Sequence, residues 1–228
     1  MNYLYVDNSN VWIEGMHVSA VQKGMARDIR TALTEDICDM NWKLDFGRLY
    51  EFAGGQVPDV GRAVLFGSRP PPNDSLWQIA QARGFETVVY DRNFNNREKK
   101  VDTSIVTEIM DDATGLIKAA VDEITLVAGD GDYVPIVEKL RRRGFAFNVM
   151  FWDQASRELK DAATKFVSMN SYLGFLSFDR CAVRGSRCAL AQALTLRPAS
   201  RGSREGAYHA PDYGGKDVRH ATARASAG

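Results

Sequence analysis

The chain has 228 residues, of which 45% are hydrophobic and 25% are charged, so it can form a substantial globular core and is neither a fibre nor a wholly disordered protein. No apolar run approaches the roughly 20 residues of a membrane helix, and the N-terminal residues lack the pattern of a signal peptide. We therefore expect a cytoplasmic protein without a membrane partner.

The formal net charge of zero conceals two oppositely charged regions. Nine Lys or Arg residues and three acids follow residue 179, so this region carries a net charge of +6. Residues 1–179 hold the other 20 basic and 26 acidic residues, a net charge of −6. The acidity of the first region raises the question of where its carboxylates gather.

Short apolar runs alternate with helical patterns along the first 170 residues. The predicted strands cover residues 3–6, 62–66, 87–90, 124–128, 145–152 and 166–169. The predicted helices cover residues 20–37, 45–52, 75–83, 101–120, 133–143 and 157–163. Strands that are apolar throughout and alternate with helices are typical of a parallel sheet covered on both faces. We predict an α/β domain over residues 1–178, with a central, mainly parallel sheet flanked by helices.

Residues 179–228 are predicted to form a basic, flexible tail rich in Gly, Ser, Ala and Arg. This region has few large apolar residues, so it cannot bury enough surface to offset the entropy lost on ordering. Its positive charge could add sequence-independent affinity for phosphates, or it could serve only to keep the protein soluble.

Cysteine and histidine are too few and too scattered for several familiar sites. The three cysteines contain no CxxC pair, which fits a reducing compartment and argues against a disulfide framework and against a cysteine-based zinc site. Of the three histidines, two fall in the predicted tail, so a histidine-based metal site or triad is hard to build.

Two acids follow the predicted fourth strand, in the sequence from Ala128 to Tyr133. Asp132 is well placed to cap the next helix, but capping requires only one acid. Asp130 and Asp132 on one glycine-containing turn repel each other unless a cation lies between them. This pair favours a metal-binding function.

Asp7 and Asp102 have ordinary explanations when each is considered alone. Asp7 ends the first strand, where an acid is common as a turn former or helix cap, and Asp102 opens the predicted helix at residues 101–120. In a parallel sheet, however, the loops after the first, third and fourth strands reach the same edge. We therefore expect all four acids to converge there. Oxygen ligands without His or Cys suit Mg²⁺ or Mn²⁺.

Other enzyme classes lack their required residues. There is no GxGxxG after the first strand and no GxxxxGK[ST], so neither a dinucleotide site nor a P-loop is supported. A dehalogenase-like phosphatase requires a second Asp where Ser9 stands, and an integrin-type metal site requires a Ser where Val11 stands.

Three motifs resemble the NYN domain, a branch of the PIN-like nuclease superfamily that includes LabA/DUF88-type bacterial proteins. The motifs are residues 5–10 (YVDNSN), residues 100–102 (KVD) and residues 128–133 (AGDGDY), and the resemblance covers about residues 1–170. It implies a PIN-like three-layer fold and a ribonuclease that depends on Mg²⁺ or Mn²⁺. The implied catalytic and metal-binding residues are Asp7, Asp102, Asp130 and Asp132. The chain departs from the family at Thr164, where members often have Asp.

The residues expected to contact the substrate are Asn8, Asn10 and Lys100. Asn8 and Asn10 belong to the first motif and are the expected polar neighbours of RNA at the site. Lys100 lies two residues before Asp102 and is expected to contact phosphate, while Arg92 and Arg97 fit a solvated loop equally well. The assignment of RNA rather than DNA rests on the resemblance alone.

The main alternative is a catalytically silent RNA-binding or regulatory module with the same fold. Four retained acids argue against it, because RNA binding alone favours neutral or basic residues. The fold is also compatible with a homodimer, although the sequence does not determine the oligomeric state.

Overall fold

The computed structural model describes residues 1–69, 75–91 and 98–178. Its sheet contains six parallel strands: β1 (Asn2–Asp7), β2 (Val60–Arg69), β3 (Glu86–Asp91), β4 (Glu123–Val127), β5 (Ala146–Phe151) and β6 (Lys165–Ser168). The helices are α1 (Asn8–Gln22), α2 (Ile29–Thr34), α3 (Phe46–Leu49), α4 (Ser75–Ala82), α5 (Glu98–Gly115), α6 (Val134–Arg142), α7 (Arg157–Ala162) and α8 (Leu173–Leu176). The strand order is β3-β2-β1-β4-β5-β6.

Helices cover both faces of the sheet and form two hydrophobic cores. All six residues of β1 are buried, and they alternate between the faces because successive side chains of a strand point in opposite directions. Tyr3 and Tyr5 pack with α5, α6 and α7, whereas Leu4 and Val6 pack with α1, α3, α4 and α8. The predicted three-layer α/β class is confirmed.

The strand order places β1 and β4 at the centre of the sheet. Val6 of β1 pairs with Val127 of β4, and Asp7 pairs with Phe66 of β2, so these strands end at the same level. After β1 the chain continues to β2 on one side of the sheet, whereas after β4 it continues to β5 on the opposite side. In open α/β sheets, such a reversal of order opens a crevice at the carboxyl ends of the strands, where ligands bind.

The predicted helix at residues 20–37 is wrong. Helix α1 begins at Asn8, directly after β1, and a second helix, α2, follows it after a break containing Gly24 at a φ of +72°. The polar residues after Asp7 are typical of a turn, but the Asp7 carboxylate accepts a hydrogen bond from the Asn10 N–H (3.1 Å) and thereby starts a helix.

Helix α5 also differs from its prediction, because it begins at Glu98 and ends at Gly115 rather than covering residues 101–120. Asp102 is therefore the fifth residue of the helix and is not its N-cap. The ordinary explanation of Asp102 as a cap does not apply.

An ion network fixes α5 to the sheet. Arg62 of β2 lies 2.7 Å from carboxylate oxygens of Asp112, Glu108 and Glu86. Asp112, which is only 5% exposed, also accepts a hydrogen bond from the Tyr5 hydroxyl (2.6 Å). This network orients the helix that carries Asp102.

No helix in the described part of the chain is long and apolar enough to cross a membrane. The predicted tail at residues 179–228 lies outside the described residues, so the domain boundary stays a prediction.

Candidate acidic active site

Asp7 is the most buried of the four predicted site acids, with 5% of its surface exposed. Its Oδ1 caps α1, and its Oδ2 accepts a hydrogen bond from the Tyr133 hydroxyl (3.2 Å). Burial, together with the nearby charge of Asp102, raises the pKa of Asp7 to about 6, against the lowering effect of the hydrogen bonds from Asn10 and Tyr133.

Tyr133 joins Asp7 to Asp102. Its hydroxyl lies 3.0 Å from Asp102 Oδ1 and 3.2 Å from Asp7 Oδ2, and its side chain is fully buried. Burial and the two carboxylates raise the pKa of Tyr133, so the phenol stays protonated. The two carboxylates around this hydroxyl carry like charges that repel each other, and a cation between them would offset that repulsion.

Asp102 reaches Asp7 because α5 crosses back over the sheet. The helix follows the edge strand β3 but packs against β1 and β2 on its way to β4. The third strand's end lies two strands away from β1, so it is the helix, rather than the loop after β3, that carries Asp102 to the site.

Asp130 and Asp132 lie on the exposed turn after β4. Asp130 Oδ1 accepts a hydrogen bond from the Asp132 N–H (3.0 Å), so Asp130 is the cap of the short 3₁₀ helix Gly131–Tyr133. The expectation that Asp132 is the cap is wrong, because the helix begins one residue before it. Both carboxylates face solvent. The turn thus offers two accessible anionic groups, and Asp132 directly precedes Tyr133, whose hydroxyl contacts Asp7 and Asp102.

Hydrogen bonds fix this turn against its neighbours. The Gly129 N–H donates to Asn10 Oδ1 (2.8 Å), and the Gly129 carbonyl accepts from the Ser156 N–H (2.8 Å). A Cβ at position 129 would overlap the Phe151 ring, so only glycine fits between the strands. Asn10 therefore positions the turn that carries Asp130.

Asn8 is buried at the first position of α1, beside Gly67 of β2. Its Oδ1 has no hydrogen-bond partner among the described residues. An unsatisfied buried acceptor is costly and rare, so an ordered water or a cation is expected to contact it.

The four acids are not equally close. Asp7 and Asp102 share one hydroxyl, but no three of the four place ligand oxygens within 4.8 Å of one another; among the described residues, only His17, Asp36 and Cys38 form such a group. The side chain of Lys100 lies outside the described residues, although its backbone is in the first turn of α5. Arg92 and Arg97 lie outside the described residues altogether.

The donors at this edge suit a hard divalent cation. Among the described residues they are carboxylate oxygens and one amide oxygen, with no sulfur or imidazole, which is the ligand set that Mg²⁺ and Mn²⁺ prefer. The unsatisfied Asn8 oxygen and the two carboxylates around one phenol are the observations that fit such an ion.

Sequence reasoning did not assign a role to Tyr133. An aromatic residue after Asp132 is typical of a core position, and the sequence does not show where its hydroxyl points. The only signal is its place in the motif at residues 128–133.

Thr164, the departure from the family pattern, lies far from these acids. The Thr164 N–H donates a hydrogen bond to the Phe147 carbonyl, and the Thr164 hydroxyl oxygen accepts one from the Phe147 N–H. Phe147 lies near the start of β5, at the amino edge of the sheet. The acids lie at the carboxyl edge, so the change does not alter their surroundings.

Comparison with known proteins identifies the fold and the family of the chain. The chain resembles a solved protein of unknown function, VPA0982 from Vibrio parahaemolyticus RIMD 2210633, with a TM-score of 0.52 and 20% identity, over 74% of this chain and 91% of that one. At this identity the likeness shows the fold alone. No curated protein matches the chain. The sequence profile of the NYN domain matches residues 8–171, which is most of the chain. The protein therefore belongs to the NYN domain family of PIN-like nucleases.

Proposed function

We propose that the protein is a divalent-metal-dependent ribonuclease that hydrolyses RNA phosphodiester bonds at Asp7, Asp102, Asp130 and Asp132, with Mg²⁺ or Mn²⁺ as cofactor. The cytoplasm is its proposed compartment. Family membership supports a nuclease, and the acid geometry supports the cofactor.

One observation carries the proposal: a buried carboxylate and a half-buried one share a single phenol at the carboxyl edge of the sheet. An N-cap needs only one oxygen of Asp7, and the other oxygen shares the Tyr133 hydroxyl with Asp102. Holding two like charges together costs free energy, and a cation offsets that cost.

The four acids have different tasks in this proposal. Asp7 and Asp102 form the fixed part of the ligand set, because Tyr133 and the α1 cap restrict them. Asp130 and Asp132 are exposed and complete the set by turning towards the substrate. A bound ion of this kind supplies water activation and charge neutralisation on a phosphodiester.

The proposed substrate contacts surround the acids. Asn10 holds the Asp130 turn through Gly129, and Asn8 has a buried Oδ1 without a hydrogen-bond partner among the described residues. Lys100, at the start of α5, is proposed to contact the phosphate that flanks the cleaved bond. Its position close to Asp102 in the chain supports this role.

The test is cleavage of single-stranded and structured RNA with Mn²⁺, Mg²⁺ or EDTA. We expect cleavage with either metal, none in EDTA, and a loss of about 100-fold or more in Asp130→Asn, which keeps the size and removes one charge. Asp59→Asn is the matched control, because Asp59 is an exposed acid before β2 at the opposite edge, and it is expected to retain full activity.

Cleavage that persists in EDTA, or equally in Asp130→Asn, would refute the metal mechanism. Metal-independent RNA binding without any cleavage would instead support the silent RNA-binding module.

A further inference from the structure

A second group of ligand-type side chains lies on the α1 side of the sheet. Helix α1 carries His17, nine residues after Asn8 and thus about 14 Å along the helix from the acidic site. The loop after α2 brings Asp36 and Cys38 against it. This group is separate from the four acids.

The three ligand atoms are nearly equidistant. Asp36 Oδ1 lies 3.7 Å from His17 Nε2 and 3.7 Å from Cys38 Sγ, and Sγ lies 3.7 Å from Nε2. With zinc–ligand bonds of about 2.0–2.3 Å, tetrahedral ligands lie about 3.3–3.6 Å apart. The group is thus slightly wider than a closed zinc site.

The histidine is oriented as a metal ligand usually is. His17 is 4% exposed, and its Nδ1 lies 3.1 Å from the Ile37 carbonyl oxygen. A backbone carbonyl accepts only from Nδ1–H, so this bond leaves the Nε2 lone pair available. Ligating histidines typically donate their other ring N–H to a carbonyl or carboxylate in this way.

We propose that His17 Nε2, Asp36 Oδ1 and Cys38 Sγ bind a zinc-type divalent ion, with water in the fourth position. Sulfur with imidazole selects Zn²⁺ over Mg²⁺ or Mn²⁺. The Asp36 side chain is 88% exposed, which leaves one side of the ion open to solvent.

One local movement completes the site. Sγ is almost equally far from Nδ1 (3.6 Å) and Nε2 (3.7 Å), so it lies to one side of the Nε2 lone pair. Rotation of the Cys38 side chain brings the thiolate to the ion. Cys38 is half-buried in a loop rather than enclosed in the core, so this rotation leaves the packing of α1 unchanged.

The bound ion would clamp the loop after α2 to α1. Asp39 already joins this loop to α1 by accepting a hydrogen bond from Ser19 (2.6 Å), and it lies 2.7 Å from Lys23 Nζ. A metal at Cys38 adds a second connection next to it, so the expected role is structural.

The test uses the full chain, reduced and stripped of metal, titrated with Co²⁺ and then with Zn²⁺. We expect about one Co²⁺ per chain with a thiolate-to-cobalt charge-transfer band that Zn²⁺ displaces. Cys38→Ser is expected to abolish the band. Asp36→Asn is expected to weaken Zn²⁺ binding by more than about tenfold, since even outer partners of a metal contribute about that much. Asparagine also tolerates the Asp36 backbone, whose φ is +52°.

Two controls separate this site from other ligands. Glu35→Gln removes the neighbouring exposed charge and should leave Zn²⁺ affinity unchanged. Replacing Cys181 and Cys188 by Ser should leave the band intact. A wild-type protein without the band, or a band that survives Cys38→Ser, would overturn the proposal.

Discussion

The ionised form of Asp7, which is the form that can bind a metal ion, lowers the stability of the fold. Its pKa is raised in the folded protein from 3.8 to about 6, so the folded state binds this proton more tightly than the unfolded state does. Below pH about 4 the carboxyl is protonated in both states, so its ionisation does not change the free energy of unfolding. Stability then falls as the pH rises to about 6, and the full cost remains above that pH.

Asp7→Asn is therefore expected to stabilise the metal-free protein. Asparagine keeps the α1 cap and removes the buried charge, so the free energy of unfolding should rise by roughly 1–3 kcal/mol at pH 8 and be unchanged at pH 4. Urea denaturation in EDTA at both pH values measures this difference. An equal or lower stability of Asp7→Asn at pH 8 would contradict a cost of burying the ionised Asp7 carboxylate.

Tyr133 is expected to act on the metal through Asp7 and Asp102. Tyr133→Phe keeps the buried ring and removes the hydroxyl that restrains both carboxylates. Loss of such a partner typically weakens metal binding by about 10- to 100-fold, so the Mn²⁺ dissociation constant should rise at least about tenfold. Calorimetric titration with Mn²⁺ measures it, and an unchanged constant would show that the hydroxyl serves only the packing.

Elements that bury both faces are predictable from sequence, whereas a helix start fixed by one side-chain cap is not. The strands were predicted to within a few residues, because a parallel strand covered on both faces is apolar throughout. Helix α1 was missed because the residues after Asp7 are polar and typical of a turn. The Asp7–Asn10 cap decides its conformation instead.

The same limit applies to the sites. Family motifs identified the four acids, but the crossing of α5 that sets Asp102 beside Asp7 depends on strand order, which the sequence does not show. The roles of Tyr133 and of the His17–Cys38 pair depend on contacts between distant residues. The lack of a CxxC pair disfavours a site built on paired cysteines, but it says nothing of a loop that brings one cysteine onto a helix.

The orientation of α5 depends on Arg62. Arg62→Ala leaves Asp112 buried without its cation, which should lower the free energy of unfolding by about 2–4 kcal/mol, a range reduced because Arg62 is partly exposed. Arg27→Ala is the matched control, because its ion pair with Asp28 is exposed and its loss should cost far less. Urea denaturation compares the two. Equal costs would show that the network does not fix α5.

At the scale of the whole molecule, charge separates the acidic residues 1–179 from the basic region that follows. Deleting residues 180–228 removes a net charge of +6. We expect RNA affinity at low salt to fall by at least about tenfold and its salt dependence to flatten, because fewer counterions are released. Binding of Mn²⁺ should not change. Fluorescence anisotropy with labelled RNA measures the affinity, and unchanged affinity at low salt would contradict a role for this region.

The most direct test of the central claim is RNA cleavage by Asp7→Asn in Mn²⁺. This variant is expected to be at least as stable as the wild type, so lost activity cannot be attributed to unfolding. The account predicts that Mn²⁺-dependent cleavage falls by about 100-fold or more, while Asp59→Asn cleaves at the wild-type rate. A wild-type rate in Asp7→Asn would contradict the account.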